Sequence, residues 1–362
     1  MKFVHIADTH FDTPYKLLSE RADLGEIRRL DQRKAFKKLI EYIKENKIPY
    51  LFIAGDFYDH EYIRESTINF INENFKLIPE TNIFIVPGNH DPYLKNSYYS
   101  KYNWSENVKI FASKIEKIET EDFDIYGFGF EDFYMKETKI DEIQIEDKNR
   151  INILLTHGSV DGGYGYDDEM KYNPMSSSKL KQIGFDYIAL GHIHKRNLSE
   201  DNKTLIYPGS TLSLGFDELG EHGMIVGDIE KGKVNVEFIK LDDKEFREIE
   251  LDITYLNTIE ELLEKIQELD LNENDLYKII LTGYRNFEIN TYRLFKLIET
   301  RNIIKIKDKT KIGYDLEKIQ NDVSLKGIFA KEMLEKLNNK NLSDEEKEII
   351  EKAIEIGIEA LS

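Results

Sequence analysis

The segment Tyr50-Leu51-Phe52-Ile53-Ala54-Gly55-Asp56 leads five consecutive apolar residues directly into a glycine and a carboxylate. An apolar run of this length is typical of a strand that is buried on both faces. Four further runs have the same character and also end at a polar motif: residues 3–7, 83–86, 151–155 and 187–190. The sequence therefore predicts a sheet whose strands deliver polar side chains to one edge.

Apolar residues also recur at helical spacing between these runs, which predicts helices over residues 31–46 and 66–78. Antiparallel strands are predicted later in the chain, at residues 122–130, 204–207, 223–229 and 233–240. This alternation of strands and helices predicts an α/β fold, a layered sandwich that extends over residues 1–240.

The pattern changes near residue 241. Residues 241–315 predict a smaller α+β domain, with a helix over residues 259–269, a strand over 277–282 and a second helix over 292–300. The last segment, residues 316–362, is highly charged and predicted to be helical. Within it, Ser343-Asp344-Glu345-Glu346 is a typical helix start.

The composition is that of a soluble globular protein, with 40% hydrophobic and 33% charged residues among 362. No apolar stretch approaches the roughly 18 residues that a membrane span requires, and the N-terminus shows no targeting peptide. The sequence contains no cysteine, which excludes disulfides and thiolate metal sites. Together these features predict a cytoplasmic protein.

The net charge of −19 is spread along the whole chain. Proteins that bind nucleic acid unaided usually present a basic face, so this charge argues against a polyanionic substrate. However, charges separated by more than about 8 Å are largely screened at physiological salt. Divalent cations held by a few carboxylates would make one site locally positive, so the composition does not exclude nucleic acid.

Five polar motifs stand at the ends of apolar runs, where an open sheet presents its ligand-binding edge. They are Asp8-Thr9-His10, Gly55-Asp56-Phe57-Tyr58-Asp59, Gly88-Asn89-His90-Asp91, Thr156-His157-Gly158 and Gly191-His192-Ile193-His194. Side chains two residues apart on extended backbone point to the same face, so we expect Asp8 to converge with His10, and His192 with His194. The flanking glycines permit close approach of the backbone.

These imidazole, carboxylate and amide groups are more numerous than one metal ion needs. The mixture suits Mn²⁺, Fe²⁺ or Zn²⁺ better than Ca²⁺. Two ions about 3.5–4 Å apart, bridged by a carboxylate, can clamp the attacking and leaving oxygens of a phosphoryl transfer. The motifs therefore predict a two-metal phosphoesterase that binds two divalent ions, with Mn²⁺ favoured.

The same motifs, in this order, resemble those of the calcineurin-like metallophosphoesterase superfamily, and specifically the SbcD-type DNA double-strand-break repair nucleases. The resemblance implies a four-layer α/β/β/α sandwich. It implies that one metal is held by Asp8, His10, Asp56 and His194, and the second by Asp56, Asn89, His157 and His192, with Asp56 bridging. It also implies that His90 is the catalytic histidine, and we expect Asp91 to orient it.

Residues outside the motifs also resemble the nuclease branch, notably Tyr207-Pro208-Gly209-Ser210, Gly220-Glu221-His222-Gly223 and Ser324-Leu325-Lys326-Gly327-Ile328-Phe329. The segment Phe11-Asp12-Thr13-Pro14 departs from the main SbcD group and resembles a bacterial YhaO-like subgroup. The resemblance implies an SbcC-type coiled-coil ATPase as partner, and a homodimer built on the helices that follow Asp59 or Asp91. Residues 241–315 would then cap the site or position DNA, and residues 316–362 would dock the partner.

Several other polar and aromatic residues are predicted to be structural. We expect His5 to be a hydrogen-bonded core residue, and Asp59 to bond its own loop rather than a metal. His60 and His222 lie in predicted loops, at the surface or behind the ligands. The aromatic stretch Tyr98, Tyr99, Tyr102 and Trp104 could stack on bases, but a packing layer or dimer surface is the favoured interpretation.

A basic stripe stands out in this acidic chain. Four lysines alternate with other residues and would share one face of an extended segment: Lys305, Lys307, Lys309 and Lys311. They could contact a DNA backbone, or they could simply protect a solvated edge strand from pairing.

The sequence as a whole predicts a metal-dependent nuclease that hydrolyses DNA phosphodiesters in DNA repair. The alternative enzyme is a calcineurin-like phosphodiesterase or phosphatase that acts on a small molecule or a phosphoprotein. A non-enzymatic binding subunit would not need the intact His90-Asp91 pair.

Overall fold

A computed structural model describes residues 1–18, 22–162, 172–300, 302–313, 316–339 and 342–361. The chain divides into two compact units, Met1–Arg247 and Glu248–Ser362. Among the described helices, none is both long enough and apolar enough to cross a membrane.

The first unit contains a six-stranded sheet with the order β11-β10-β1-β2-β3-β4. Its strands are β1 (Lys2–Ile6), β2 (Tyr50–Ala54), β3 (Asn82–Val86), β4 (Val108–Ile110), β10 (Gly223–Glu230) and β11 (Lys233–Lys240). Strands β1 to β4 are parallel. Strand β10 is antiparallel to both β1 and β11, as predicted for residues 223–229 and 233–240.

A second sheet of five strands has the order β5-β6-β7-β8-β9. The strands are β5 (Glu116–Glu119), β6 (Phe123–Phe128), β7 (Ile151–His157), β8 (Tyr187–Gly191) and β9 (Leu205–Ile206). The predicted antiparallel pairing is confirmed for β6 on its side facing β5, although β6 also pairs in parallel with β7. It was wrong for β9, which pairs in parallel with β8. The connections, residues 129–150 and 192–204, are long enough for the crossover that a parallel pair requires.

Side chains that alternate along the central strands build two separate cores. Val4 of β1 packs with residues of the helices α1 (Ala22–Asn46) and α2 (Glu65–Phe75). Phe3 packs instead between the two sheets, with Ile153 of the second sheet. A third core lies on the outer face of the second sheet and includes Leu180 of α4 (Ser177–Ile183). The layers are therefore α/β/β/α, which confirms the predicted fold class.

Three short elements complete the first unit: α3 (Tyr98–Lys101) and single 3-10 turns at Lys16–Leu18 and Ile140–Glu142. Helix α1 begins at Ala22, whereas the sequence predicted its start at residue 31. The reason is Arg28, a charged residue that is almost completely buried and whose guanidinium donates to Asp242 at 2.7 Å. A polar residue on the buried face obscures the helical pattern.

The second unit contains a three-stranded sheet of the order β12-β13-β15 and a two-stranded pair, β14-β16. The strands are β12 (Phe246–Asp252), β13 (Leu276–Thr282), β14 (Tyr284–Arg285), β15 (Ile303–Asp308) and β16 (Lys311–Ile312). The helices are α5 (Ile259–Gln267), α6 (Thr291–Leu297), α7 (Leu316–Ile319), α8 (Leu325–Leu337) and α9 (Asp344–Ala360). These agree with the helices and the strand predicted for residues 259–300.

Helix α9 begins where the sequence predicted. The Ser343 hydroxyl accepts from the Glu346 amide at 3.2 Å, and the Glu346 carboxylate accepts from the Ser343 amide at 2.8 Å. This reciprocal pair is a capping box. The division of this unit into domains at residues 241–315 and 316–362 stays a prediction.

Candidate metal centre and active site

The predicted ligands follow the carboxyl ends of parallel strands in both sheets. Asp8 follows β1, Asp56 follows β2 and Asn89 follows β3, whereas His157 ends β7 and His192 follows β8. Because the two sheets pack face to face, their carboxyl ends meet at one edge of the sandwich. The fold therefore brings residues from distant parts of the chain to one place.

Six of the predicted site residues form three overlapping groups with metal-ligating atoms within 4.8 Å of one another. The groups are Asp8 with His10 and His194, His10 with Asp56 and His90, and Asp8 with Asp56 and His157. Asp8 and Asp56 each belong to two groups, so the groups form one continuous cluster. Their carboxylates are almost fully buried.

Three histidines of this cluster are held by the same kind of contact. His10 Nδ1 lies 2.9 Å from the Asp59 carboxylate, and His194 Nδ1 lies 2.6 Å from the Glu218 carboxylate. His157 Nδ1 lies 2.8 Å from the Ala54 carbonyl. Since these oxygens only accept, Nδ1 carries the proton and a neutral ring keeps its lone pair on Nε2. Histidines that ligate metals are held in this way.

The free Nε2 atoms are close enough to share ions. Two atoms bonded to one ion at about 2.0–2.1 Å must lie within about 4.2 Å of each other. The Nε2 atoms of His10 and His194 are 3.2 Å apart, and His157 Nε2 lies 3.3 Å from Asp56 Oδ2. The donor set therefore fits divalent cations.

Asn89 and His192 complete the cluster around His157. The Asn89 side-chain oxygen lies 3.0 Å from His157 Nε2. The His192 ring lies 5.3 Å from the His157 ring, and its backbone amide donates to Asp8 at 2.9 Å. All seven predicted metal ligands thus lie in or beside one cluster.

The electrostatic environment favours positive charge at this site. Burial opposes the imidazolium form of His157, but the carboxylates of Asp56 and Asp8 outweigh burial and raise its pKa to about 9. Burial likewise opposes a charged His194, but Glu218 raises its pKa to about 10. By contrast, burial and the nearby charge of His157 lower the pKa of His192 to about 3, so that ring stays neutral and able to bind a metal.

Asp91 was expected to orient His90, but in the structure the His90 ring contacts Asp59 instead. The His90 ring is half-exposed, and its Nδ1 lies 3.2 Å from Asp59 Oδ1. Burial opposes a charge on His90, but the hydrogen bond with Asp59 and the charge of Asp56 raise its pKa to about 9. A protonated, accessible imidazole is suited to donate a proton.

The Asp91 carboxylate is fully buried and accepts hydrogen bonds from neighbouring loops and from the Tyr99 hydroxyl at 2.6 Å. Its backbone donors include the amides of Gly88 at 2.6 Å and Phe57 at 2.7 Å. Asp91 therefore ties the loop after β2 to the loop after β3. The bonds of Asp59 reach beyond its own loop, to His10 and His90, which the sequence did not predict.

The backbone at the ligands differs from the extended conformation that was predicted for these motifs. Asp8 and His10 both have φ of 50°, Asp56 has 48° and His192 has 103°. These are left-handed values that side chains rarely adopt. Asp8 and His10 still converge, but on backbone with positive φ rather than through strand alternation.

Glu218 is a residue that sequence reasoning missed. Its carboxylate contacts His194 at 2.6 Å and accepts from the Ser210 hydroxyl at 2.7 Å. It stands close to Gly220-Glu221-His222-Gly223, which the sequence did single out, but no spacing distinguishes it from other acids of that loop. His222 is buried behind it and contacts the Glu218 backbone carbonyl at 2.9 Å.

Two structural predictions are confirmed near the site. His5 is fully buried and its ring nitrogen lies 3.0 Å from the Tyr187 hydroxyl. In the aromatic stretch, Tyr99 is buried and Trp104 donates to the Tyr98 carbonyl at 3.1 Å, so this stretch is a packing layer.

The lysine stripe lies in the second unit, on β15 and the residues that follow it. Its side chains are all exposed, whereas Ile304 before them and Ile306 between the first two are buried. The amides of Lys309 and Lys311 donate to the carbonyls of Leu281 and Gly283 at 2.9 Å, which continues the ladder beyond β15. The backbone pairing therefore continues past β15, and along it the four exposed lysines, Lys305, Lys307, Lys309 and Lys311, alternate with less exposed residues.

Comparison with known proteins agrees with this geometry. A family model for calcineurin-like phosphoesterases matches residues 1–196. The chain is 26% identical over 280 residues to the uncharacterized metallophosphoesterase YhaO of Bacillus subtilis, which covers 74% of this chain and 67% of that protein. It is 29% identical over 322 residues to the SbcD component of the nuclease SbcCD of Staphylococcus epidermidis, which covers 78% of this chain and 79% of that protein.

Among solved structures, TT1561 of Thermus thermophilus matches with a TM-score of 0.37 at 12% identity, over 66% of this chain and 98% of that one. The match to the family model spans more than half of the chain and includes Asp8, Asp56, Asn89, His157 and His194. This chain belongs to the calcineurin-like phosphoesterase family, whose members are hydrolases that use divalent metal ions.

Proposed function

We propose that this protein is a metal-dependent nuclease that hydrolyses DNA phosphodiesters and acts in DNA repair. One observation carries the hydrolytic part: three histidine Nε2 atoms and two buried carboxylates converge beside the half-exposed His90. The choice of DNA is supported by the similarity to a nuclease component over 79% of that protein's length.

In this proposal Asp8, His10, Asp56 and His194 hold one metal ion, and Asp56, Asn89, His157 and His192 hold the other. Asp56 would serve both ions, since its carboxylate belongs to the ligand groups of both His10 and His157. Mixed imidazole, carboxylate and amide donors suit Mn²⁺, Fe²⁺ and Zn²⁺, of which Mn²⁺ is the ion proposed.

When bound, a pair of divalent cations activates water at neutral pH and offsets negative charge on the phosphoryl group. The residues of the chain supply the remaining parts. His90 protonates the leaving oxygen, and Asp59 holds its ring by the contact at Nδ1. Asp91 acts as a positioning residue, because it fixes the loops that present Asp56 and His90.

The wider assembly is proposed from the same similarity. An SbcC-type coiled-coil ATPase would be the partner and would bind residues 316–362. A homodimer would form through α2 or α3, which follow Asp59 and Asp91. The four stripe lysines, Lys305, Lys307, Lys309 and Lys311, would contact the DNA backbone.

One experiment tests the activity directly. The purified protein is incubated with Mn²⁺ or EDTA and with double-stranded DNA, single-stranded DNA, a cyclic nucleotide and a phosphopeptide. We expect Mn²⁺-dependent cleavage of DNA that is lost in His90→Gln, a control for contaminating nucleases. Hydrolysis of only the cyclic nucleotide or the phosphopeptide would favour the alternative phosphodiesterase or phosphatase and refute the nuclease.

A further inference from the structure

A cleft of about 460 Å³ opens directly beside the candidate active site. Asn89, His90 and Asp59 line one part of it. A substrate whose phosphate reaches His90 would therefore extend a neighbouring group into this cleft. The chemistry of the other walls indicates which group fits.

The remaining walls are rich in aromatic rings. Tyr62, Phe133 and Tyr134 line the cleft and are 45%, 36% and 56% exposed. In the described part of the first unit only three other large apolar side chains are as exposed, namely Leu30, Leu77 and Leu219. Single exposed apolar residues are common in soluble proteins, but a group of them in one cleft indicates a binding surface.

The rings form a path that leads from solvent to the metal ligands. The rings of Tyr134 and Tyr172 are 5.9 Å apart at an interplanar angle of 31°, and those of Tyr172 and His192 are 5.0 Å apart at 40°. On the same cleft, the ring of Phe133 lies 6.2 Å from that of His60. A flat group could therefore stack on Tyr134 or Phe133 while its attached phosphate reaches the metal centre.

Away from His90, the charge of the cleft disfavours a second phosphate as its occupant. Among the described residues that line it there is no lysine or arginine, whereas Asp59 and Glu61 both contribute carboxylates. These acids repel an anion but do not repel an uncharged aromatic ring. Nucleobases are uncharged and flat, and they stack on aromatic side chains with little dependence on sequence.

We propose that Tyr62, Phe133 and Tyr134 form a stacking site for an unpaired nucleobase next to the scissile phosphodiester. This inference rests on the proposed nuclease function and narrows its substrate. In a duplex the faces of a base are covered by its neighbours, so a base must be unpaired or flipped out to stack on protein. The preferred substrate is therefore single-stranded DNA or a frayed end.

The test compares two single-stranded oligonucleotides that differ only beside the cleaved linkage, where one carries a base and the other an abasic residue. In Mn²⁺ we expect kcat/KM to be roughly 5- to 150-fold higher with the base present, the range expected for one stacked base. In Phe133→Leu and Tyr134→Leu this ratio should fall towards one. Tyr134→Phe, which keeps the ring, should retain it.

A second measurement does not depend on turnover. A terminal 2-aminopurine in the same oligonucleotide is quenched when it stacks, so saturating protein in EDTA should quench its fluorescence, and Tyr134→Leu should not. Tyr42→Leu is the matched control, because Tyr42 is a partly exposed tyrosine that lines a different cavity. It should behave as the unsubstituted protein in both assays.

The outcomes separate this inference from the function on which it rests. Equal cleavage of the base-bearing and abasic oligonucleotides, or an unquenched 2-aminopurine, overturns the stacking site but leaves the nuclease standing. Failure to cleave any DNA overturns the nuclease, whereas quenching would still support the stacking site.

Discussion

Four ligand residues adopt a backbone conformation that most residues other than glycine avoid. Asp8, His10, Asp56 and His192 have positive φ, and each such residue costs on the order of 1–3 kcal/mol unless the surroundings enforce it. The surroundings here are the hydrogen bonds of the site, such as the donation from the His90 amide to Asp56 at 2.8 Å. The sequence identified which residues are polar at the strand ends, but not this geometry, because glycine-like φ values at Asp and His leave no mark in composition.

The replacement His90→Gln should separate metal binding from turnover. Glutamine keeps a polar side chain but cannot act as a proton donor, so we expect kcat to fall by roughly 10²- to 10⁴-fold. Metal content should be unchanged, because the other ligand groups remain intact. The measurements are turnover of an artificial phosphodiester and elemental analysis of the same sample. Unchanged turnover would remove His90 from the mechanism.

The replacement Asp56→Asn should affect both metal ions together. Asp56 lies within ligand distance of His10 on one side and His157 on the other, so a neutral amide there weakens both positions. At equal free Mn²⁺ concentration, we expect the occupancy of both ion positions to fall, rather than that of one position alone. Full occupancy by elemental analysis would refute the bridging role.

Glu218 offers a test of the contacts behind the ligands. The replacement Glu218→Gln removes the charged acceptor 2.6 Å from His194 Nδ1, which fixes the ring and raises its basicity. Loss of such a partner typically lowers metal affinity by 10- to 100-fold. A titration with Mn²⁺ should show this for one of two ions. Glu221→Gln, in the same loop but with a half-exposed side chain, is the control and should bind both ions normally.

At the scale of elements, the loops after β2 and β3 are locked together. Asp91 bonds the amides of Asp56 and Phe57 in one loop and of Gly88 in its own. The sequence predicted both strands and both polar motifs, because an apolar run that ends in glycine is a local signal. It could not predict that Asp59 contacts His90 or that Glu218 contacts His194, because these contacts join separate loops.

The replacement Gly88→Ala should show how little space these loops leave. An added Cβ would lie 2.2 Å from Asp56 Oδ1 and 2.5 Å from the Asp56 amide nitrogen, and that amide is held by Asp91. We expect a loss of about 1–3 kcal/mol in the free energy of unfolding, together with weaker metal binding. Chemical denaturation measures the first quantity. Gly215→Ala, where the nearest atom lies at an ordinary 3.6 Å, should be close to neutral; equal losses in both variants would contradict the steric argument.

At the scale of the whole molecule, the net charge opposes the proposed action on DNA. A net charge of −19 opposes association with DNA, and the buried carboxylates of the metal centre contribute to it. Bound cations reverse the sign only locally, because screening limits their reach to about 8 Å at physiological salt. A nuclease of this composition needs a basic surface elsewhere, either on a partner or on the lysine stripe.

The stripe can be tested by replacing Lys305, Lys307, Lys309 and Lys311 together with glutamine. Each lysine that contacts a phosphate contributes about 0.7–0.9 to the slope of log affinity against log salt concentration, so we expect DNA binding to weaken and the slope to fall by about 3. Fluorescence anisotropy across a salt series measures both. The control replaces four exposed lysines of α1, Lys34, Lys37, Lys38 and Lys44, which changes the net charge equally. If both quadruple variants lose affinity to the same extent, the effect is one of total charge and the stripe is only a protected edge strand.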